Sequence, residues 1–405
     1  MKDGMKYVVL LGDGMADNPR EELGGRTPLE AAHTPNMDRI AKEGAVGSVR
    51  TIPEGFEPGS DVANMSVMGF DPVVYYTGRG PIEAANMGLA MKPGDVVFRM
   101  NLVSLETNPS GKRIMADYSC GHIPTEESAP MIGSLEAALG DHEFRMYPGR
   151  SYRHLMIWTN GRDGVVTTPP HDILGEEIGM YLPHGEGAGR LLDLMRRAEK
   201  ILDDHPINKD RRRRGEPPAA VPWFWGQGTK PALPGYRERY GITGAVISAV
   251  DLIQGLGRLA GLEVVEVPGA TGWLDTNYEG KVAASLSALK AGADFVYLHV
   301  EAPDEAGHAG DTSLKIQALE DFDRQVVGPM TAGLAAMGRF RILLLPDHPT
   351  PIEIRTHSPV PVPFAIYGHG VTPSGVPDFS EKAMAHGPFI EQGYTLMDVF
   401  LGIDR

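Results

Sequence analysis

The 405-residue chain carries 53 acidic against 38 basic side chains, a formal net charge of −15. That excess excludes a generally basic surface for nucleic acid or anionic membrane, so an anionic substrate would need bound cations or a few focused arginines. With 42% hydrophobic and 22% charged residues the composition excludes a disordered chain and supplies enough apolar material for two lobes. A single cysteine, Cys120, excludes an intrachain disulfide framework and suits a reducing compartment. The first apolar run, residues 7–11, is too short for a signal segment or a membrane span. The expectation is a soluble, cytoplasmic protein.

In chain order, YVVLL (7–11) lacks polar alternation and reads as a strand buried on both faces; GDGMAD follows it and sets Asp13 just past the strand end. TPNMDRIAKEG (34–44) has helical periodicity. In EGFEPGSDVANMSVMGFDP, Ser60 opens an apolar-periodic stretch, so it stands near a helix N-terminus, as a cap or as an anion-facing group. From about Phe98 to Tyr240 polar loops dominate around two strand-like runs, RHLMIW (153–158) and VVTT (165–168), and a helix at 189–204. FVYLHV (295–300), the helical 313–327, RILLL (341–345) and FAIYG (364–368) restore the strand-helix alternation. This predicts an α/β fold with a mostly parallel sheet flanked by helices, formed by residues 1–97 plus 241–405, and an inserted smaller α+β domain at 98–240.

Three of the buried runs end in potential ligands, where open α/β sheets bind theirs. Asp13 follows the first. Asp304 and His308, four apart in APDEAGH, share one face of a helical turn after the second. Asp347 and His348 follow the third, and His357 lies in a proline-rich return, RTHSPVPVP. Three carboxylates and three imidazoles suffice for two metals and suit Mn²⁺, Zn²⁺ or Fe²⁺ better than Ca²⁺ or Mg²⁺. A serine attacks phosphate only when activated, and a divalent cation lowers its pKa enough, so the ligand set supplies what Ser60 lacks. No phosphate-binding P-loop motif is present. His299, inside a strand pattern, reads as structural, Cys120 as an inert thiol, and Arg212 and Arg213 as a solvated charge run.

GDGMAD, TPNMDRIAKEG, PGSDVANMSVMGFDP, YYTGRGPIEA, APDEAGHAGD and PDHPTP, with THS beyond, resemble in combination the archaeal-type cofactor-independent phosphoglycerate mutases of the alkaline phosphatase superfamily. The resemblance runs from near residue 5 to about 400. It implies an alkaline-phosphatase-like core, independence of 2,3-bisphosphoglycerate, and interconversion of 3- and 2-phosphoglycerate through a phosphoserine at Ser60. It assigns one metal, expected to be Mn²⁺, to Asp13, Ser60, Asp347 and His348, and a second to Asp304, His308 and His357.

The resemblance also implies that the inserted domain grips a small phosphorylated anion and closes over it. It points there to Arg150, Arg153, His154, His171, Asp172, Asn208 and Arg211. Ala220 departs from the family pattern, where an Asn is expected, and extra arginines surround Arg211, so the gripping arginine stays open. Trp223 and Trp225 read as packing between lobes. The alternative function is a related phosphotransferase, homoserine-kinase-like, on the same metal core. A non-catalytic scaffold would have lost a ligand or the serine, and this chain keeps all of them.

Overall fold

Runs of Val, Leu, Ile and aromatic residues without polar alternation fold as interior strands, because only strands covered on both faces tolerate them. The computed structural model describes residues 4–403, apart from the side chains of 383–385. Among the described residues the strands are β1 (Lys6–Gly12), β2 (Ala45–Val49), β3 (Val96–Thr107), β4 (Arg113–Asp117), β5 (Phe144–Tyr147), β6 (Arg153–Trp158), β7 (Val221–Thr229), β8 (Gly244–Ile247), β9 (Glu263–Val264), β10 (Phe295–Val300), β11 (Phe340–Leu345), β12 (Val362–Gly368) and β13 (Phe389–Ile390). The chain divides into two units, Met1–Tyr76 with Ala232–Arg405, and Thr77–Pro231.

The larger unit is built on an eight-stranded sheet in the order β13-β2-β12-β11-β1-β10-β8-β9. All its pairings are parallel except the two that β12 makes with β11 and β2. Its central strands run in register, Leu11 opposite both His299 and Leu345, so the carboxyl ends of β11, β1 and β10 lie side by side. Val8, Leu10, Val296, Leu298, Ile342 and Leu344 join helix residues such as Phe322 and Met330 in one core. The FAIYG run is a strand as expected, but an antiparallel one.

The smaller unit is an antiparallel sheet, β4-β3-β6-β5, with β7 on the free side of β3. Its own core includes Phe98, Met100, Leu135, Trp158, Leu191 and Phe224. Two expectations change. The first boundary falls at 76/77 rather than 97/98, because the helix Arg79–Asn86 packs Ala84 against Val97, Leu155 and Ile157 of the smaller sheet. The VVTT run forms no strand; Val166 makes only an isolated bridge to His184.

Candidate functional site

β1, β10 and β11 deliver their ligands because each strand stops at the same sheet edge. Asp13 follows Gly12 directly; Asp347 and His348 lie two and three residues beyond Leu345; and the helix Ala302–Ala309 after β10 carries Asp304 and His308. The turn after Asp13 needs Gly14, whose φ is +62° and where a Cβ would stand 2.5 Å from Thr350 Oγ1 and 2.7 Å from Asp304 Oδ1. No larger residue fits there without displacing Asp304.

Asp13, Asp347 and His348 place ligand atoms within 4.8 Å of one another, and so do Asp304, His348 and His357. His308 Nε2 is 3.1 Å from Asp304 Oδ2 and 3.0 Å from His357 Nε2. Ser60 Oγ lies 3.1 Å from His348 Nε2. All seven expected residues are therefore together, with His348 belonging to both triads. Ser60 is the first residue of the helix Ser60–Val67; Gly59 takes the capping position, so the hydroxyl is not spent on a cap.

The electrostatics fit divalent cations. Burial, then the charges of Asp347 and Asp304, push the Asp13 carboxyl well above its usual range, and its Oδ1 is buried with no hydrogen-bond partner. Burial also acts to raise Asp304, but hydrogen bonds from His308 and His357 hold it well below the ordinary range. The hydrogen bond to Asp304 pulls His308 up to about 9. Glu301, at the same edge, is pushed to about 7 by burial and by the charges of Glu305 and Asp304. Two imidazole nitrogens facing at 3.0 Å need a proton or a cation between them. An orphaned buried carboxylate oxygen needs the same, so the residues present fit metal.

Residues that no sequence pattern marked hold the candidate ligands in place. Asn64, fully buried, donates to Asp347 Oδ2 at 2.7 Å and to the Ser60 carbonyl at 2.9 Å, and accepts from the Tyr297 hydroxyl at 2.5 Å. Thr350 donates to Asp304 Oδ1. Lys315, also fully buried, fixes Thr350 by donating to its carbonyl at 2.7 Å while pairing with Asp17 at 2.8 Å. Only the four-residue spacing of Ser60 and Asn64 on one helix face hinted at any of this.

The smaller unit brings together some of its expected residues and disperses others. Arg153 and His154 are successive on β6, so they point to opposite faces. Arg153 is exposed near Arg99, whereas His154 is buried, accepts from the Gly149 amide at 3.0 Å, and is pushed by burial to about 3. Asn208 and Arg211 are corrected: Asn208 is consumed by Leu202 and Ala219, and Arg211 by Glu127, Cys120 and Pro217, both side chains being buried. They staple the 206–219 turn from the interior, Asn208 being 0% and Arg211 2% exposed. The Trp225 ring carries the Arg99 guanidinium at 3.9 Å and meets His171 at 5.1 Å, both in the smaller unit. Trp223 donates to the Thr168 carbonyl, again within that unit.

In place of Asn208 and Arg211 the structure shows a cationic group. Arg99, paired with Glu83 at 3.0 Å, has Arg79 beside it across Gly226, and Arg153 nearby. Burial first, then Arg79 and Arg153, lower the Arg99 pKa against the pull of Glu83. His171, 3.6 Å from Asp172, is lowered by burial and by Arg99 and Arg79. Arg150 is exposed.

A family model described as 2,3-bisphosphoglycerate-independent phosphoglycerate mutase matches residues 41–208. A relative from Methanothrix thermoacetophila bearing that name is 55% identical over 95% of this chain and 96% of its own. One from Geobacter sulfurreducens, named as a probable enzyme of this kind, is 52% identical over 98% of this chain and 100% of its own. Among solved structures, a Pyrococcus horikoshii protein superposes with a TM-score of 0.83 at 30% identity, over 99% of this chain and 98% of that one. The cofactor-independent phosphoglycerate mutase of Thermoplasma acidophilum gives 0.69 at 27%, over 98% and 99%. The chain thus belongs to the 2,3-bisphosphoglycerate-independent phosphoglycerate mutases.

Proposed function

We propose that this enzyme interconverts 3-phosphoglycerate and 2-phosphoglycerate through a phosphoryl group carried on Ser60. We assign two divalent cations, Mn²⁺ by the family resemblance with Zn²⁺ or Fe²⁺ equally suited to the mixed nitrogen and oxygen donors, to Asp13, Ser60, Asp347 and His348 and to Asp304, His308 and His357. The supporting observation is the placement of Ser60, uncapped at the start of its helix and 3.1 Å from His348 inside the ligand cluster. When bound, such cations lower the pKa of a serine hydroxyl and offset phosphoryl charge.

Ser60 Oγ forms its bond to phosphorus as the substrate's own oxygen–phosphorus bond breaks, and the proton Ser60 loses is matched by the one the glycerate oxygen gains. After the glycerate reorients, its other hydroxyl takes the phosphoryl group back. The N-terminal N–H groups of the Ser60–Val67 helix, apart from that of Val62, which donates to Asp61 Oδ1, orient the phosphoryl oxygens. Arg79, Arg99, Arg150 and Arg153 answer the substrate's negative groups, for which guanidinium geometry is suited. His171, with the Asp172 carboxylate 3.6 Å away, is the proton carrier this reading assigns.

No helix among the described residues is long and apolar enough to cross a membrane. The one cysteine is a buried thiol pushed up to about 12 by burial, consistent with the cytoplasmic placement we adopt. Acid-quenching the Mn²⁺-loaded enzyme during turnover should trap a phosphorylated peptide containing Ser60. Ser60→Ala should lose turnover by at least about a thousandfold while still binding metal. Full activity in that variant would end the proposal.

A further inference from the structure

We propose that Ser248 and His299 are positioning residues for the reaction, aiming Asp13 at the cation site through a hydrogen-bond relay that crosses three adjacent strands. The inference rests on the two-cation reading above. Ser248 follows the end of β8, His299 is the penultimate residue of β10, and Asp13 follows β1; these strands are neighbours in the order β1-β10-β8. All three side chains are buried, His299 completely.

The hydrogens can be placed from the partners. The Val250 amide donates to Ser248 Oγ at 3.0 Å, so an oxygen lone pair is used there and the hydroxyl is free to donate to His299 Nδ1 at 3.2 Å. His299 then carries its hydrogen on Nε2, which donates to Asp13 Oδ2 at 2.9 Å. Lys281, buried behind it, donates to the His299 carbonyl at 3.1 Å and anchors the backbone. The relay occupies one oxygen of Asp13 and leaves the other, Oδ1, buried and unpartnered, 3.5 Å from His348 Nε2. Asp13 is thereby held as a one-oxygen ligand already facing its site. Partners of this kind that orient a metal ligand typically change affinity about 10–100-fold when removed.

The test titrates Mn²⁺ into chelator-stripped full-length protein by calorimetry and records melting temperature with and without the ion. His299→Leu should weaken binding at one of two sites about 10–100-fold and shrink the Mn²⁺-dependent rise in melting temperature. His299→Gln, which retains an N–H donor, should recover most of it. Ser248→Ala should fall between, because it releases the tautomer. A merely structural role would lower the metal-free melting temperature and leave Mn²⁺ affinity alone, and that result in His299→Leu overturns the inference. Should His299→Leu fail to fold, Ser248→Ala decides, and wild-type affinity there overturns it equally. Wild-type protein that takes up no Mn²⁺ would instead overturn the two-cation reading itself.

Discussion

His154 and Asn64 are both buried polar side chains, and their partners give them opposite meanings. Asn64 satisfies the Asp347 carboxylate, the Ser60 carbonyl and the buried Tyr297 hydroxyl at once. His154 keeps a buried Nε2 with no partner and is pushed to about 3 by burial alone. Its folded-state pKa lies below the unfolded value of 6.5, so the unfolded chain binds the extra proton. The associated stability is whole above pH 6.5 and is lost as pH falls from there toward 3. Between pH 6.5 and 5 that loss is about 1.5 kcal/mol. Urea unfolding at the two pH values should show His154→Gln losing less stability than wild type by roughly that amount; identical losses would mean the ring is protonated in the folded state.

At the scale of elements, strand alternation separates Arg153 from His154, and a helix start frees Ser60 from capping. The helix Pro206–Arg214 shows how a buried arginine can be structural: Arg211 braces Cys120, Pro217 and Glu127, and Asn208 bonds across the same turn. The two sets should part experimentally. Arg153→Ala, which removes an exposed cation lying over the Tyr152 ring, should raise KM for phosphoglycerate about tenfold or more with melting temperature unchanged. Asn208→Ala should leave KM alone and cost about 1–3 kcal/mol, because the Ala219 amide and carbonyl lose their Asn208 partner, whereas the Leu202 carbonyl keeps the His205 N–H. A KM effect from Asn208→Ala would restore it as a substrate residue.

For the molecule as a whole, each unit buries its own core, so the ligand cluster is not needed to hold the larger unit's hydrophobic interior together. It is an electrostatic cost instead, since Asp13, Asp304, Asp347 and Glu301 crowd one sheet edge. Cations bound to the folded state alone would offset that repulsion and add about 2.7 kcal/mol per site at a hundred times Kd. Chelator-stripped protein should therefore melt lower than Mn²⁺-loaded protein and recover on adding Mn²⁺. A melting temperature indifferent to chelation and reloading would argue against a filled site at this edge.

Local sequence was sufficient to locate β1, β10 and β11, because buried parallel strands need unbroken apolar runs, and to mark Asp13, Asp304, His308, Asp347 and His348, because ligands collect where such strands end. Ser60 beside a predicted helix start was legible for the same reason of backbone geometry. What pairs with what was decided only by the tertiary structure. Asn64 serves Asp347 and His299 serves Asp13 across nearly three hundred residues of chain, contacts that leave no spacing in the sequence. Arg99 entered the cationic group, and Asn208 and Arg211 left it, because the accounting of hydrogen-bond partners is made in three dimensions. A run of residues determines which face a side chain takes; only packing determines whether its polar atoms are already spent.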